Sequence, residues 1–214
     1  MKITKIGHCC LLIETEGKKV LTDPGAFTSE QDAVTGIDLV LITHEHNDHL
    51  HIGSLKQVVK NNPKAKIITN SGVSKILIAE NILHTQLESG VDSSVVSLEA
   101  FPSKHEEIFE EIGQVENTSF ILDGKLLIPG DSYFVPPKAV AILALPVAGP
   151  WARVSEVARY ALAVKPKLAF PIHDGMLRAD RTGANYRVPG MVLEQNDIKF
   201  VPIFSGEVPG CENF

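Results

Sequence analysis

The chain has 214 residues, 44% of them hydrophobic and 21% charged, enough to bury a sizeable core in one domain or two closely packed halves. Its formal net charge of -6 argues against broad nucleic-acid binding, which needs a basic surface. No stretch approaches the roughly 20 apolar residues that cross a bilayer. Three cysteines, two of them adjacent at Cys9 and Cys10, suit reduced strand residues better than a disulfide framework. The start, Met1-Lys2-Ile3-Thr4-Lys5-Ile6, lacks the apolar run of a signal peptide, so the expected location is cytoplasmic.

Taken in order, residues 1–25 predict strands joined by turns. Residues 9–15 are apolar and β-prone, Glu16-Gly17-Lys18-Lys19 signals a turn, and Val20-Leu21-Thr22 leads into Asp23-Pro24-Gly25. Residues 37–43, rich in Ile, Leu and Val, have the pattern of a buried strand. A helix is predicted over 50–60, where Ile52, Leu55, Val58 and Val59 fall at helical spacing, and Asn61-Asn62-Pro63 ends it. Residues 65–69 read as a strand and 71–81 as a capped helix, with Val73, Ile76, Leu77 and Ala79 on one face.

One or two short strands are expected in 85–100. A hairpin follows over 118–122 and 125–128, turning at Asp123-Gly124, and a strand over 140–145. The stretch 154–164 predicts a helix beginning near Ser155 and closed by Pro166; 168–172 and 198–204 predict strands. Residues 174–197, rich in glycine and polar side chains, predict a long loop of the kind that is often functional. Hairpins followed by alternating strands and helices occur twice, without linker or repeat. That order predicts a single layered α/β (α+β) domain over 1–214, with two facing sheets and helices outside.

Between the third of these strands and the first helix stands His44-Glu45-His46-Asn47-Asp48-His49. Three of the chain's eight histidines fall within these six positions, and neutral imidazole is the commonest protein ligand for zinc-like metals. Asp48 could serve only as a helix cap, but three neighbouring imidazoles outweigh that explanation. If the chain stays extended, His44 and His46 point the same way, while Asp48 and His49 open the helix. The turn then offers ligands on two sides, one pair for each of two cations. Further ligand types end other β-like runs: His105 after 101–104, Asp131 after 126–130 and His173 after 168–172, where open sheets place sites. Alone, Asp131 could be a turn former and His105 a solvated loop residue; beside the hexapeptide they become ligand candidates.

This ordered set, Asp23, His44/His46/Asp48/His49, His105, Asp131 and His173, resembles the metallo-β-lactamase superfamily. Gly7-His8, Leu21-Thr22-Asp23-Pro24, Gly130-Asp131-Ser132, Leu145-Pro146-Val147-Ala148-Gly149 and Pro171-Ile172-His173 resemble its ascorbate-phosphate lactonase-like branch and related metal-dependent hydrolases. Ala148-Gly149-Pro150-Trp151 stands where such relatives often carry a glycine-rich turn and a Thr-Met pair. The resemblance implies a four-layer αββα sandwich with the site at one edge of the two sheets. It implies His44, His46 and His105 on one divalent ion, Asp48, His49 and His173 on a second, and Asp131 bridging. Zinc is the metal expected of a nitrogen-and-oxygen ligand set without thiolate, with manganese or iron compatible. Asp23 is expected to hold a ligand rather than bind metal.

Two such cations would lower the pKa of a shared water toward neutrality and polarise the oxygen under attack, so no serine or cysteine nucleophile is needed. Asp48 is the candidate to orient that water and pass its proton to the leaving group. His8, Trp151, Arg178, Arg181 and Tyr186 are candidates for the substrate pocket, and His51 and His84 are assigned to the surface or to helix packing. The expected reaction is hydrolysis of a small, anionic ester, lactone or related molecule. Phosphodiesterase, ribonuclease or β-lactamase-type amide hydrolysis is the alternative, although the ribonucleases of the superfamily carry added RNA-binding parts. A metal-binding interaction protein without turnover fits an intact ligand set less well. No membrane partner is expected, and a homo-oligomer is compatible.

Overall fold

The computed structural model describes all residues from 1 to 214. Its first sheet is built from β1 (Lys2–Gly7), β2 (Cys10–Thr15), β3 (Lys18–Thr22), β4 (Leu39–Leu41), β5 (Lys66–Thr69), β6 (Thr85–Gln86) and β14 (Gly206–Glu207), in the order β14-β1-β2-β3-β4-β5-β6. The second holds β7 (Gly90–Asp92), β8 (Leu98–Lys104), β9 (Glu116–Leu122), β10 (Leu126–Ile128), β11 (Ile142–Pro146), β12 (Leu168–Ile172) and β13 (Lys199–Phe200), in the order β13-β12-β11-β10-β9-β8-β7. Each sheet starts with antiparallel hairpins and continues with parallel strands. Parallel neighbours need a crossover. Helices α1 (Ile52–Asn61) and α2 (Ser71–Ala79) supply it from β4 to β5 and from β5 to β6, and α3 (Val154–Val164) and α4 (Ala184–Glu194) from β11 to β12 and from β12 to β13, while loops join β3 to β4 and β10 to β11.

The layers follow from side-chain alternation. Leu39 and Leu41 of β4 face the second sheet and join Ile13, Phe120, Ile142 and Phe170 in the central core. Val40 between them, and Ile42, face outward and pack with Leu55, Val58, Val73 and Leu77 of α1 and α2. Strands covered on both faces are therefore apolar at successive positions, as these sequences are. On the other side Ile121, Leu127 and Leu143 meet Val157, Ala161 and Leu193 of α3 and α4. Each such aliphatic side chain removed from water contributes about 1.5–3 kcal/mol. The result is the αββα sandwich that the resemblance implied.

Three expectations change. Residues 174–197 contain α4 rather than one long loop, because Tyr186, Pro189, Gly190 and Leu193 form a buried helical stripe. Proline and glycine look like loop residues in composition, yet Gly190 is where the helix meets the Phe200 ring. Residues 198–204 pair as a strand only at Lys199–Phe200; Pro202 has no N–H to donate, and the Ile203 N–H turns back to the Val201 carbonyl at 2.9 Å. Asp48 and His49 precede α1 instead of opening it, since His51 is the N-cap and accepts from the Ser54 N–H.

Candidate metal centre

The hexapeptide leaves β4 where the two sheets meet. The Thr118 N–H in β9 donates to the Thr43 carbonyl at 2.9 Å, tying the sheets together one residue before His44. The turn is closed by His49 and Leu50 N–H groups donating to the His46 carbonyl. Residues 23–26 clamp it from outside: the Ala26 N–H reaches the Asn47 carbonyl at 2.9 Å, and the His51 N–H reaches the Pro24 carbonyl at 3.1 Å. Gly25 makes that approach feasible, because a Cβ there would fall 1.7 Å from the Asp48 carbonyl oxygen.

His105 ends β8, and His173 follows β12 with φ 57°. Asp131 follows Gly130, whose φ is 64° and whose added Cβ would lie 2.2 Å from Asn117 Oδ1. The fold thus gathers every ligand candidate named from the sequence. His44, His46, His105 and Asp131 offer ligand atoms all within 4.8 Å of one another, a group able to hold a metal ion. Asp131 also reaches the other histidines: Oδ1 lies 3.1 Å from His49 Nε2, and Oδ2 lies 2.8 Å from His173 Nε2. Asp48 Oδ2 stands 3.4 Å from His173 Nε2 and 4.0 Å from His49 Nε2. Asp131 therefore sits between two histidine groups.

The imidazoles are held from behind. His173 Nδ1 donates to the Ala148 carbonyl and His105 Nδ1 to the Glu106 carbonyl, both at 2.6 Å. His49 Nδ1 donates to Asp23 Oδ2 at 2.8 Å. The Thr43 hydroxyl donates to the same carboxylate, so it accepts from His44 Nδ1 at 3.1 Å. Each of these bonds leaves an Nε2 aimed inward. Nε2 of His44, His49, His105 and His173, together with Asp131 Oδ1, are buried without a hydrogen-bond partner. Buried polar atoms left unpaired cost roughly 1–3 kcal/mol each. A cation coordinated by those lone pairs satisfies them together, with the backing Nδ1–H bonds typical of metal-bound histidine.

The electrostatics agree. Burial, then the neighbouring His49, pushes His44 well below its ordinary 6.5, leaving a neutral imidazole. Burial opposes a proton on His49 and His173, but Cys9 and Asp131 more than offset it, and both are raised. Burial would lift Asp131 and Asp48; nearby His173 and His49 outweigh it at Asp131, and nearby His173 with the hydrogen bond from His8 outweighs it at Asp48. Both carboxyls stay ionised. Binding a cation would release the protons that His49 and His173 otherwise keep.

Not every pocket candidate faces the cleft. His8 is buried; its Nδ1 accepts from the Gly175 N–H, so Nε2 carries the proton and donates to Asp48 Oδ2 at 3.0 Å. It orients Asp48. Tyr186 is a correction too: its hydroxyl donates to the buried Asp174 carboxylate, and it lines a groove beside α4 remote in its lining from the histidines. Arg178 is exposed and bound through two N–H groups to Asp180, with Arg181 beside the same carboxylate. Trp151 does line the cleft and donates from Nε1 to Asp131 Oδ2 at 3.2 Å. With Ile108, Pro150 and Met176 it makes the apolar wall opposite the ligands. His51 caps α1, and His84 bonds Ser74, as assigned.

The sequence reading missed Cys9. Its thiol shares a buried cluster with His8, His49 and His173, so a sulfur is within reach of a ligand set taken to lack one. Burial would raise the thiol, but His8, His49 and His173 lower it to about 7. Its place beside His8 was the available signal.

The family model described as a Beta-lactamase superfamily domain matches residues 2–173. Protein Rv0786c of Mycobacterium tuberculosis is 33% identical over 191 residues, covering 87% of this chain and 90% of that protein. A UPF0173 metal-dependent hydrolase of Carboxydothermus hydrogenoformans is 31% identical over 195 residues, covering 81% and 84%. A crystal structure from Parabacteroides distasonis, described as a metal-dependent hydrolase, superposes with a TM-score of 0.77 at 25% identity, over 94% of this chain and 91% of that one. The matched region contains the whole ordered set of candidate residues from Asp23 to His173. The chain belongs to the beta-lactamase superfamily and is a metal-dependent hydrolase of the metallo-β-lactamase fold.

Proposed function

We propose that this protein hydrolyses a small ester, lactone or related acyl bond at a centre of two divalent cations, zinc being the metal most consistent with the donors. His44, His46 and His105 would hold one ion, Asp48, His49 and His173 the other, and Asp131 would lie between them. The observation that carries this reading is the convergence of five buried, unpartnered ligand atoms, four Nε2 and one carboxylate oxygen, on one edge of the sandwich. When bound, such a pair supplies a water that ionises near neutral pH and polarises the oxygen being attacked.

The chain's own groups account for the rest. Asp48, ionised and fixed by the His8 Nε2–H, orients the attacking water. The water oxygen bonds the acyl carbon, the bond to the leaving oxygen breaks, and Asp48 passes the water's proton to that oxygen. Trp151, Ile108, Pro150 and Met176 exclude bulk water from one side of the cleft. The phosphodiester alternative gains no support from the cleft, which no lysine or arginine lines.

Metal analysis of protein reloaded with zinc tests the centre. About two ions per chain are expected, with protons released on binding. A panel of lactones, carboxylic esters, phosphodiesters and β-lactams then tests the bond type. Turnover confined to phosphodiesters, or a protein that takes up no metal, would overturn the proposal.

A further inference from the structure

We infer that the substrate is an amphiphilic ester with an apolar acyl group and a cationic alcohol end, not an anion; this rests on the acyl-hydrolase reading above. The metal cleft is small, about 150 Å³, and its non-ligand wall is apolar. Ile108 and Met176, 36% and 50% exposed, offer aliphatic surface beside the polar candidate ligands. Past Ile108 and Trp151, which line both spaces, lies a second groove of about 380 Å³. Its other walls are Glu106, Glu107, Glu156 and Arg153.

The charges there are unequal. Arg153 is spent on Glu156, with Nη1 3.8 Å from its carboxylate. Glu106 accepts the Tyr133 N–H, and Glu107 accepts only the Glu110 N–H. Three carboxylates face one guanidinium, so the groove favours a positive group and repels a negative one. The nearest arginine beyond Met176, Arg178, is committed to Asp180. A cation pair in the cleft would attract the reacting oxygen, but the remote end of the substrate meets the carboxylates instead. This replaces the anionic substrate expected from the sequence.

The test uses the zinc-loaded full chain and three butyrate esters that differ only at the far end of the alcohol: trimethylammonioethyl, 3,3-dimethylbutyl and sulfoethyl. The ammonium ester should exceed the sulfonate at least about tenfold in kcat/KM, with the neutral ester between. That ratio should shrink with added salt and in the Glu107→Gln/Glu156→Gln double variant. Lengthening the acyl group from acetyl to hexanoyl should raise kcat/KM. Trp151 is the only tryptophan, so its fluorescence reports binding of the matching non-hydrolysable ethers without turnover. Equal or better use of the sulfonate, or no binding of any ether, would overturn the inference, and indifference to acyl length would remove its apolar half. If no ester is cleaved yet the ammonium ether binds more tightly than the sulfonate, the acyl-hydrolase reading fails and the charge preference stands.

Discussion

Asp23 accepts three hydrogen bonds with two oxygens and has no direct place among the candidate ligands. Oδ1 accepts the Thr43 N–H at 2.8 Å, while Oδ2 accepts the Thr43 hydroxyl and His49 Nδ1, and through that hydroxyl it also orients His44. One carboxylate therefore sets the tautomers of histidines in both groups. Asp23→Asn keeps the left-handed backbone (φ 39°) tolerable but removes the charge. Metal affinity should fall about 10–100-fold, read by competition with a chromogenic chelator, while circular dichroism stays unchanged. Undiminished affinity would show that Thr43 alone suffices. For Asp48, replacement by alanine should lower kcat by at least about 100-fold even in preparations that keep full metal occupancy, since it removes the group that orients water. Normal turnover at full occupancy would rule out that role.

At the scale of elements, the two sheets are tied at their edges as well as through their core. Lys66 of β5 pairs with Asp92 of β7 at 2.6 Å, bridging the first sheet to the second, and Ser94 adds two bonds to the same carboxylate. Burial would raise the Asp92 carboxyl, but the Lys66 and Ser94 bonds outweigh it and lower it from 3.8 to about 2. A carboxyl depressed in the folded state stabilises fully above its unfolded value, and that contribution disappears as pH falls through the folded one. Asp92→Asn should therefore cost up to about 1 kcal/mol at pH 7 and progressively less as pH falls through about 2, as urea unfolding across this range would show. A cost that persists at low pH would assign the effect to packing. Element existence was legible here because Val, Ile and Leu runs and helical stripes mark buried faces. Element ends were less so: β4 keeps only Leu39–Leu41 of the predicted 37–43, because backbone pairing rather than composition ends a strand. The α4 stripe escaped notice because Pro189 and Gly190 carry part of it.

Across the whole molecule, one buried charge pair joins the beginning of the chain to its final third. Lys5 in β1 and Asp174, the residue after His173, are fully buried and 2.5 Å apart, and the Tyr186 hydroxyl of α4 shares the carboxylate. Burial pulls Lys5 below its ordinary 10.5, and Asp174 opposes that. Lys5→Met would leave the buried Asp174 without its Lys5 partner, which costs about 3–5 kcal/mol, measurable by urea denaturation. A loss under about 1 kcal/mol would mean that solvent reaches the carboxylate.

The candidate ligands from His44 to His173, which the fold brings together, could be picked out in the sequence, because metal chemistry restricts residue types and the strand ends that carry them leave apolar runs behind. So could the layered fold, since period-two and helical burial patterns are local. Tertiary structure alone decided which way side chains of mixed character turned. It directed His8 to Asp48, Tyr186 to Asp174 and Cys9 into the histidine cluster, and it lined the cleft with apolar side chains and the adjoining groove with three glutamates and one arginine. The reason is distance: partners such as Lys5 and Asp174, 169 positions apart, are chosen by how two sheets pack, and no local pattern records that choice.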